Sequence, residues 1–222
     1  MALIRILAPA SYGAFALWAS VAFVLASVQN AISGVHLHSA PPSVSNPARQ
    51  LVEQTMGRAT CVFLVGVALI ILALTLLGDG SFANPAAALF VPAFLLQQHT
   101  RAIAFSRGRA EHAALQAGAA LLLGAATLYI GVVAGRLSSA NDVLLGLGFA
   151  YGSTSGAAAF LYYYRRSHRA LGKPVAYWTF AKQSGWVFVG VLGSEILERF
   201  YVFAVGVYLG PIALALLAAN QI

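Results

Sequence analysis

Three ionisable residues stand where a membrane-type helix ordinarily carries none. The run from Phe180 to Pro211, FAKQSGWVFVGVLGSEILERFYVFAVGVYLGP, reads as one long apolar helix with Glu195, Glu198 and Arg199 at its middle. Glu195 and Arg199 are four residues apart and share a helix face, with Glu198 adjacent to it. Ser184, Phe188, Val191, Val202 and Gly206 extend that face along the helix. An ionisable group inside a span costs about 3 kcal/mol on insertion scales, so it ordinarily faces a cavity or a partner charge. Two readings follow. In the first, the patch lines a central cavity, where Arg199 meets anionic oxygens and Glu195 or Glu198 takes up a proton or cation. In the second, Glu195 and Arg199 form a structural pair that packs helices. One arginine cannot neutralise two glutamates, and the negative charge left over favours the cavity.

A second polar cluster, Gln97, Gln98, His99 and Arg101, ends an apolar run, and Gln97 and Arg101 are again four apart. A polar vestibule and a plain interfacial helix end both fit it, and Gln29 and Asn30 fit either view. His36 and His38 have no carboxylate or cysteine nearby and read as ordinary loop residues rather than metal ligands. Cys61, the single cysteine, excludes a disulfide within the chain and reads as a small apolar residue of a span. No glycine-rich phosphate loop, nucleophile-and-base pair or zinc spacing is present, so neither an enzyme, a cofactor nor a metal is expected. Asp79, Glu111 and Asp142 are too scattered to form an acid cluster.

The elements that must position these residues are membrane helices. Hydrophobic residues make up 60% of the chain and charged residues 9%, against about 25% charged in a soluble domain. Apolar runs of about 20 residues cross the hydrocarbon core as helices; a β-barrel needs shorter, alternating segments. About six spans are expected in an all-α, polytopic bundle: Tyr12–Ile32, Ala59–Leu77, Pro85–Phe105 with a kink at Pro92, Glu111–Ala134, Val143–Tyr164 and the long helix from Phe180. A polar connector, Ser33–Thr55, is expected to be broken by Pro41-Pro42 and Asn46-Pro47. Gly148, Gly152 and Gly156 fall at spacing four, which lets helix backbones approach closely in lipid.

Charge distribution predicts orientation. Arg49, Arg58, Arg101, Arg107, Arg109, Arg165, Arg166, Arg169, Lys173 and Lys182 fall on one side, and Arg5 and Arg136 on the other. The positive-inside rule makes the first side cytoplasmic. The net charge of +7 then reads as topology and contact with anionic membrane lipid rather than with nucleic acid.

An internal echo bears on organisation. Leu7-Ala8-Pro9-Ala10-Ser11-Tyr12-Gly13-Ala14 resembles Leu209-Gly210-Pro211-Ile212-Ala213-Leu214-Ala215. Either two apolar stretches are alike by chance, or a repeat begins twice. Arg5 to Leu17, the stretch Phe94 to Arg101 with Phe105-Ser106-Arg107-Gly108-Arg109, and Trp186 through Leu209-Gly210-Pro211 together resemble the polysaccharide and oligosaccharide flippases of the multidrug/oligosaccharidyl-lipid/polysaccharide exporter superfamily. That resemblance implies residues 1–179 as a first bundle lacking its first helix, and residues 180–222 as the opening of a truncated second bundle. A second bundle or a homo-oligomer would complete it. It further implies a bacterial cytoplasmic-membrane transporter that moves a lipid-linked oligosaccharide by alternating access, with proton or cation coupling. In it Glu195, Glu198, Arg199, Gln97 and Arg101 would line the substrate cavity, Arg199 meeting the lipid's phosphate oxygens. A drug or cation antiporter of the same superfamily, a membrane enzyme of glycan assembly and an accessory subunit are the rivals.

Overall fold

The computed structural model describes residues 6–39, 46–78, 83–163 and 177–220, and the regular structure among them is helical throughout. Helix α1, Pro9–Gln29, passes through a π-helical turn, Asn30–Gly34, into α2, Val35–Ser39. Then follow α3, Asn46–Leu77; α4, Ala87–Ser106; α5, Ala110–Val133; and α6, Ala140–Tyr163. The long helix α7, Trp178–Ala204, leads through a second π-helical turn, Val205–Leu209, to α8, Gly210–Asn220. Five segments, Pro9–His38, Ala48–Leu77, Ala110–Val133, Ala140–Tyr163 and Leu197–Ala219, are long and apolar enough to cross a membrane. The chain is an all-α, polytopic membrane bundle.

Helix α4 is absent from those five segments because its second half is polar, yet it lies at the centre of the bundle. It packs against α6, α3, α1 and α5. Its Phe90, Val91 and Leu95 join Trp18, Ile71 and Leu144 in the main core. A helix enclosed by protein need not present an apolar surface to lipid, so Gln97, Gln98, His99 and Arg101 are tolerated there. The closest approach is to α6: a Cβ on Gly148 would lie 3.1 Å from Phe90 Cα. The spacing-four glycines therefore act where expected, although nothing lies within 4 Å of a Cβ at Gly156.

Local chemistry starts the helices. Pro9 opens α1, where a missing N–H is harmless. Ser139 and Asp142 form a capping box at α6: the Asp142 carboxylate accepts from the Ser139 amide (2.9 Å), and the Ser139 hydroxyl accepts from the Asp142 amide (3.4 Å).

The connector expected over Ser33–Thr55 is largely helical instead. The π-helical turn carries the first helix on to Ser39, and Asn46-Pro47 opens α3 rather than breaking a helix. The physical reason is positional, since proline disrupts a helix interior but suits its first turn. Pro41 and Pro42 lie outside the described residues.

The helices alternate in direction, so the bundle has two distinct ends. At one, Tyr177 donates to the Ile32 carbonyl and Arg107 forms a bidentate pair with Glu53. Arg49, Arg58, Arg101 and Lys182 on helices, and Arg109 in the turn between α4 and α5, lie toward this same end, whereas Arg136 follows α5 at the other. Arg5, Arg165, Arg166, Arg169 and Lys173 lie outside the described residues. At the far end the two similar stretches meet face to face. A Cβ on Gly13 would lie 1.8 Å from the Pro211 carbonyl oxygen, so only glycine permits this contact of α1 with α8. Leu7, Tyr12, Val143 and Ala215 form one buried cluster there, and Leu17, Val202 and Leu214 another.

Candidate functional site

A cavity of about 510 Å³ lies between α1, α4 and α7. Its walls run from Phe23, Ser27, Gln29 and Asn30 to His38 on the first helix, and from Phe94 to Phe105 on α4. Val191, Ser194, Glu195 and Arg199 of α7 close the third side. The cavity thus extends from the middle of the helices toward the arginine-rich end, where Asn30, His38 and Phe105 are exposed at its rim.

The face read from sequence on the long helix is the face that packs inward. Ser184 is buried against the second helix, Val191 lines the cavity and Val202 is buried beyond it. Glu195 is the hub: its Oε2 accepts from Arg199 Nε at 2.9 Å and its Oε1 accepts from Ser27 Oγ at 2.5 Å. The Arg199 guanidinium also lies 5.1 Å from the centroid of the Phe23 ring, a cation–π contact. Phe23 in turn meets Phe94 edge-on. The pair is therefore both structural and cavity-lining, and the two sequence readings merge.

Of the other expected site residues, Arg101 lines the cavity, while Gln97 and Glu198 do not. The α4 stripe facing the cavity is Phe94, Gln98, His99, Arg101, Ala102 and Phe105. At 3.6 residues per turn, Gln97 points about a quarter-turn away from the centre of that stripe; it is buried elsewhere in the bundle. Glu198 is exposed, because it lies about 60° from Glu195 on the flank opposite Arg199. The expected excess of negative charge is consequently reversed. Among the described residues the cavity holds one carboxylate, Glu195, and two guanidinium groups, Arg101 and Arg199.

Several wall residues depend on partners far away in sequence. His99 shares its ring nitrogens with Thr60 Oγ1 at 3.1 Å and the Tyr163 hydroxyl at 2.9 Å, and Thr60 Oγ1 donates to Ser33 Oγ at 3.3 Å. Tyr163 continues to the Glu53 carbonyl. His36, expected in a loop, is buried in α2 and hydrogen-bonds Ser184 of α7 at 2.5 Å. Gln29, at 3% exposure, has both side-chain amide atoms buried with no partner among the described residues, and so does Arg101 Nε. Buried polar groups are ordinarily paired, so these atoms of Gln29 and Arg101 stand out among the cavity's wall residues.

No family model, curated protein or solved structure matches the chain. What the site can do therefore follows from its own chemistry. No three His, Cys, Asp or Glu side chains group together among the described residues. The cavity instead offers two guanidinium groups, side-chain amides, two imidazoles and aromatic rings, which suits a polar anionic group carried on an apolar body.

Proposed function

We propose that the chain acts as a flippase-type membrane transporter, moving the anionic headgroup of a lipid-linked oligosaccharide across the membrane by alternating access. The observation that carries this reading is the placement of the cavity. Arg101, Arg199 and unpaired Gln29 lie in a space that reaches the arginine-rich end, while the opposite end is shut by Gly13 against Pro211. A cavity reaching one end and sealed at the other is one of the two states that alternating access requires. The arginine-rich end would face the cytoplasm, by the positive-inside rule, in a bacterial inner membrane. The phosphate oxygens of the substrate would meet Arg101 and Arg199, and its lipid tail would remain outside the bundle. Glu195 would exchange its arginine for a proton or cation during the cycle. A second bundle or a second copy would complete the moving body opposite α7.

The test is reconstitution into liposomes with a fluorescent polyprenyl-diphosphate sugar. The wild-type chain should equilibrate the probe between leaflets, and Arg101→Ala should slow it severely while inserting normally. Equal rates in protein-free liposomes and proteoliposomes would overturn the proposal. The antiporter reading keeps one specific support: Glu195 is a cavity carboxylate already bonded to a hydroxyl and a cation. Proton-driven efflux of an organic cation, lost in Glu195→Gln and independent of sugar lipid, would favour it.

A further inference from the structure

A second cavity, about 330 Å³, lies at the end of the bundle away from the arginines. It is lined by Ala10, Ser11, Asn84, Ser139, Asn141 and Pro211, with three further alanines. The four polar residues belong to the starts of three helices or to the turns leading into them, and Pro211 to the start of a fourth. Ser11 lies in the first turn of α1, and Asn84 accepts the Ala87 amide in the turn that opens α4. Ser139 and Asn141 begin α6, and Pro211 begins α8. Four helix N-termini therefore converge on one small space.

The physics of such a convergence has a definite sign. The first amides of a helix lack intrahelical acceptors, and the aligned peptide dipoles place roughly half a positive elementary charge at each N-terminus. A cation would be repelled, whereas an oxyanion would find the field of all four starts. It would find donors at those of α1, α6 and α8, the Ala87, Ala88 and Leu89 amides of α4 being taken by the carbonyls of Asn84, Pro85 and Ala86. No carboxylate lines the cavity among the described residues. The nearest by sequence, Asp142, is engaged by its own helix start: its Oδ2 accepts from the Ser138 and Ser139 amides and the Ser139 hydroxyl. Among the described residues, the first turns of α1, α4 and α8 carry no acidic side chain.

A second observation is independent of the dipoles. Asn84 is 7% exposed, and its Oδ1 is buried with no hydrogen-bond partner among the described residues; Asn141 Oδ1, in the same cavity, is likewise unpaired. Leaving a buried amide unpaired is unfavourable, and two in one space mark a site that expects an occupant. The two ends of an asparagine amide are interchangeable in shape, so turning either amide over presents an N–H to an anion. The cavity is roomy enough for several waters at about 30 Å³ each, and so for a tetrahedral oxyanion.

We propose that this cavity is a binding site for a small oxyanion of the sulfate or phosphate type, held by backbone and asparagine N–H groups and the Ser11 hydroxyl, with no arginine or lysine among the described lining residues. An ion bound there would tie the start of α1 to the start of α8, beside the contact of Gly13 with Pro211. The site is distinct from the Glu195–Arg199 cavity and does not rest on the transport reading.

The test uses the full chain in lipid nanodiscs, titrated with sodium sulfate and, separately, with sodium chloride at matched ionic strength. Thermal unfolding is followed by tryptophan fluorescence, and radiolabelled sulfate binding is measured by equilibrium dialysis. Saturable sulfate binding with a rise in the unfolding midpoint beyond that in chloride is expected. Asn84→Leu should weaken sulfate binding about tenfold or more, the loss of a hydrogen bond to a charged group. Because that variant alters a buried position, Ala10→Leu provides a second arm: it changes an exposed rim residue, fills the mouth and should also reduce binding. Identical effects of sulfate and chloride, or undiminished sulfate binding in folded Asn84→Leu or Ala10→Leu protein, would overturn the proposal.

Discussion

Gly13 of α1 and the carbonyl oxygen of Pro211 in α8 occupy neighbouring space that no side chain can share. A Cβ at Gly13 would stand 1.8 Å from that oxygen. The contact joins two stretches of similar sequence and seals the end of the bundle opposite the arginines. Gly13→Ala should therefore force α1 and α8 apart and destabilise the chain by about 1–3 kcal/mol, the range for overpacking. Thermal unfolding in detergent measures it; an unchanged midpoint would mean that the two helices do not meet as described.

The pair of Arg107 with Glu53 fixes the other end. Both side chains are nearly buried, at 10% and 4% exposure, and the guanidinium donates two hydrogen bonds to the carboxylate. Removing one partner leaves an uncompensated buried charge, so Glu53→Ala should cost about 3–5 kcal/mol. The double variant with Arg107→Ala should cost less than the two single losses added together. Strict additivity in a double-mutant cycle would show that the pair is not coupled.

His99 ties three helices through hydroxyl partners. His99→Leu removes one hydrogen bond each from Thr60 and Tyr163, which keep only their longer contacts to Ser33 and the Glu53 carbonyl, at a cost of about 1 kcal/mol for each bond lost. Adding Thr60→Val and Tyr163→Phe to that variant should recover part of the loss. No recovery in the unfolding midpoint would mean that these hydroxyls find other partners.

Glu195 and Arg199 separate packing from transport. Exchanging them, Glu195→Arg with Arg199→Glu, preserves an ion pair at spacing four but moves the positive charge toward Ser27. Stability should return toward wild type relative to either single change, while sugar-lipid translocation stays lost. Full recovery of translocation would assign the pair a packing role alone.

The sequence made the helices legible because apolar runs and proline or glycine punctuation are local signals. It also showed which face of α7 turns inward, since Ser184, Glu195, Arg199 and Val202 recur at helical spacing. It could not separate Glu195 from Glu198, because their difference depends on which flank α1 covers. Gln97 lies outside the cavity for a similar reason: sharing a helix face with Arg101 still leaves about 40° between them, enough to put one in the cavity and the other outside it. Glu53 and Thr60 gave no signal at all. Their roles come from Arg107, His99 and Tyr163, which lie 54, 39 and 110 residues away along the chain from their respective partners. The histidine at 36 looked like a loop residue because proline was read as a helix breaker without regard to its position in the helix.

The most direct test of the cavity's role is side-specific labelling of Ser194→Cys in a Cys61→Ala background, in sealed vesicles of known orientation. Ser194 lines the cavity and is exposed. The predicted result is labelling by a membrane-impermeant maleimide from the arginine-rich side alone, with protection by a saturating polyprenyl-diphosphate sugar. Labelling from the opposite side alone, or labelling that the sugar lipid leaves unchanged, would contradict it.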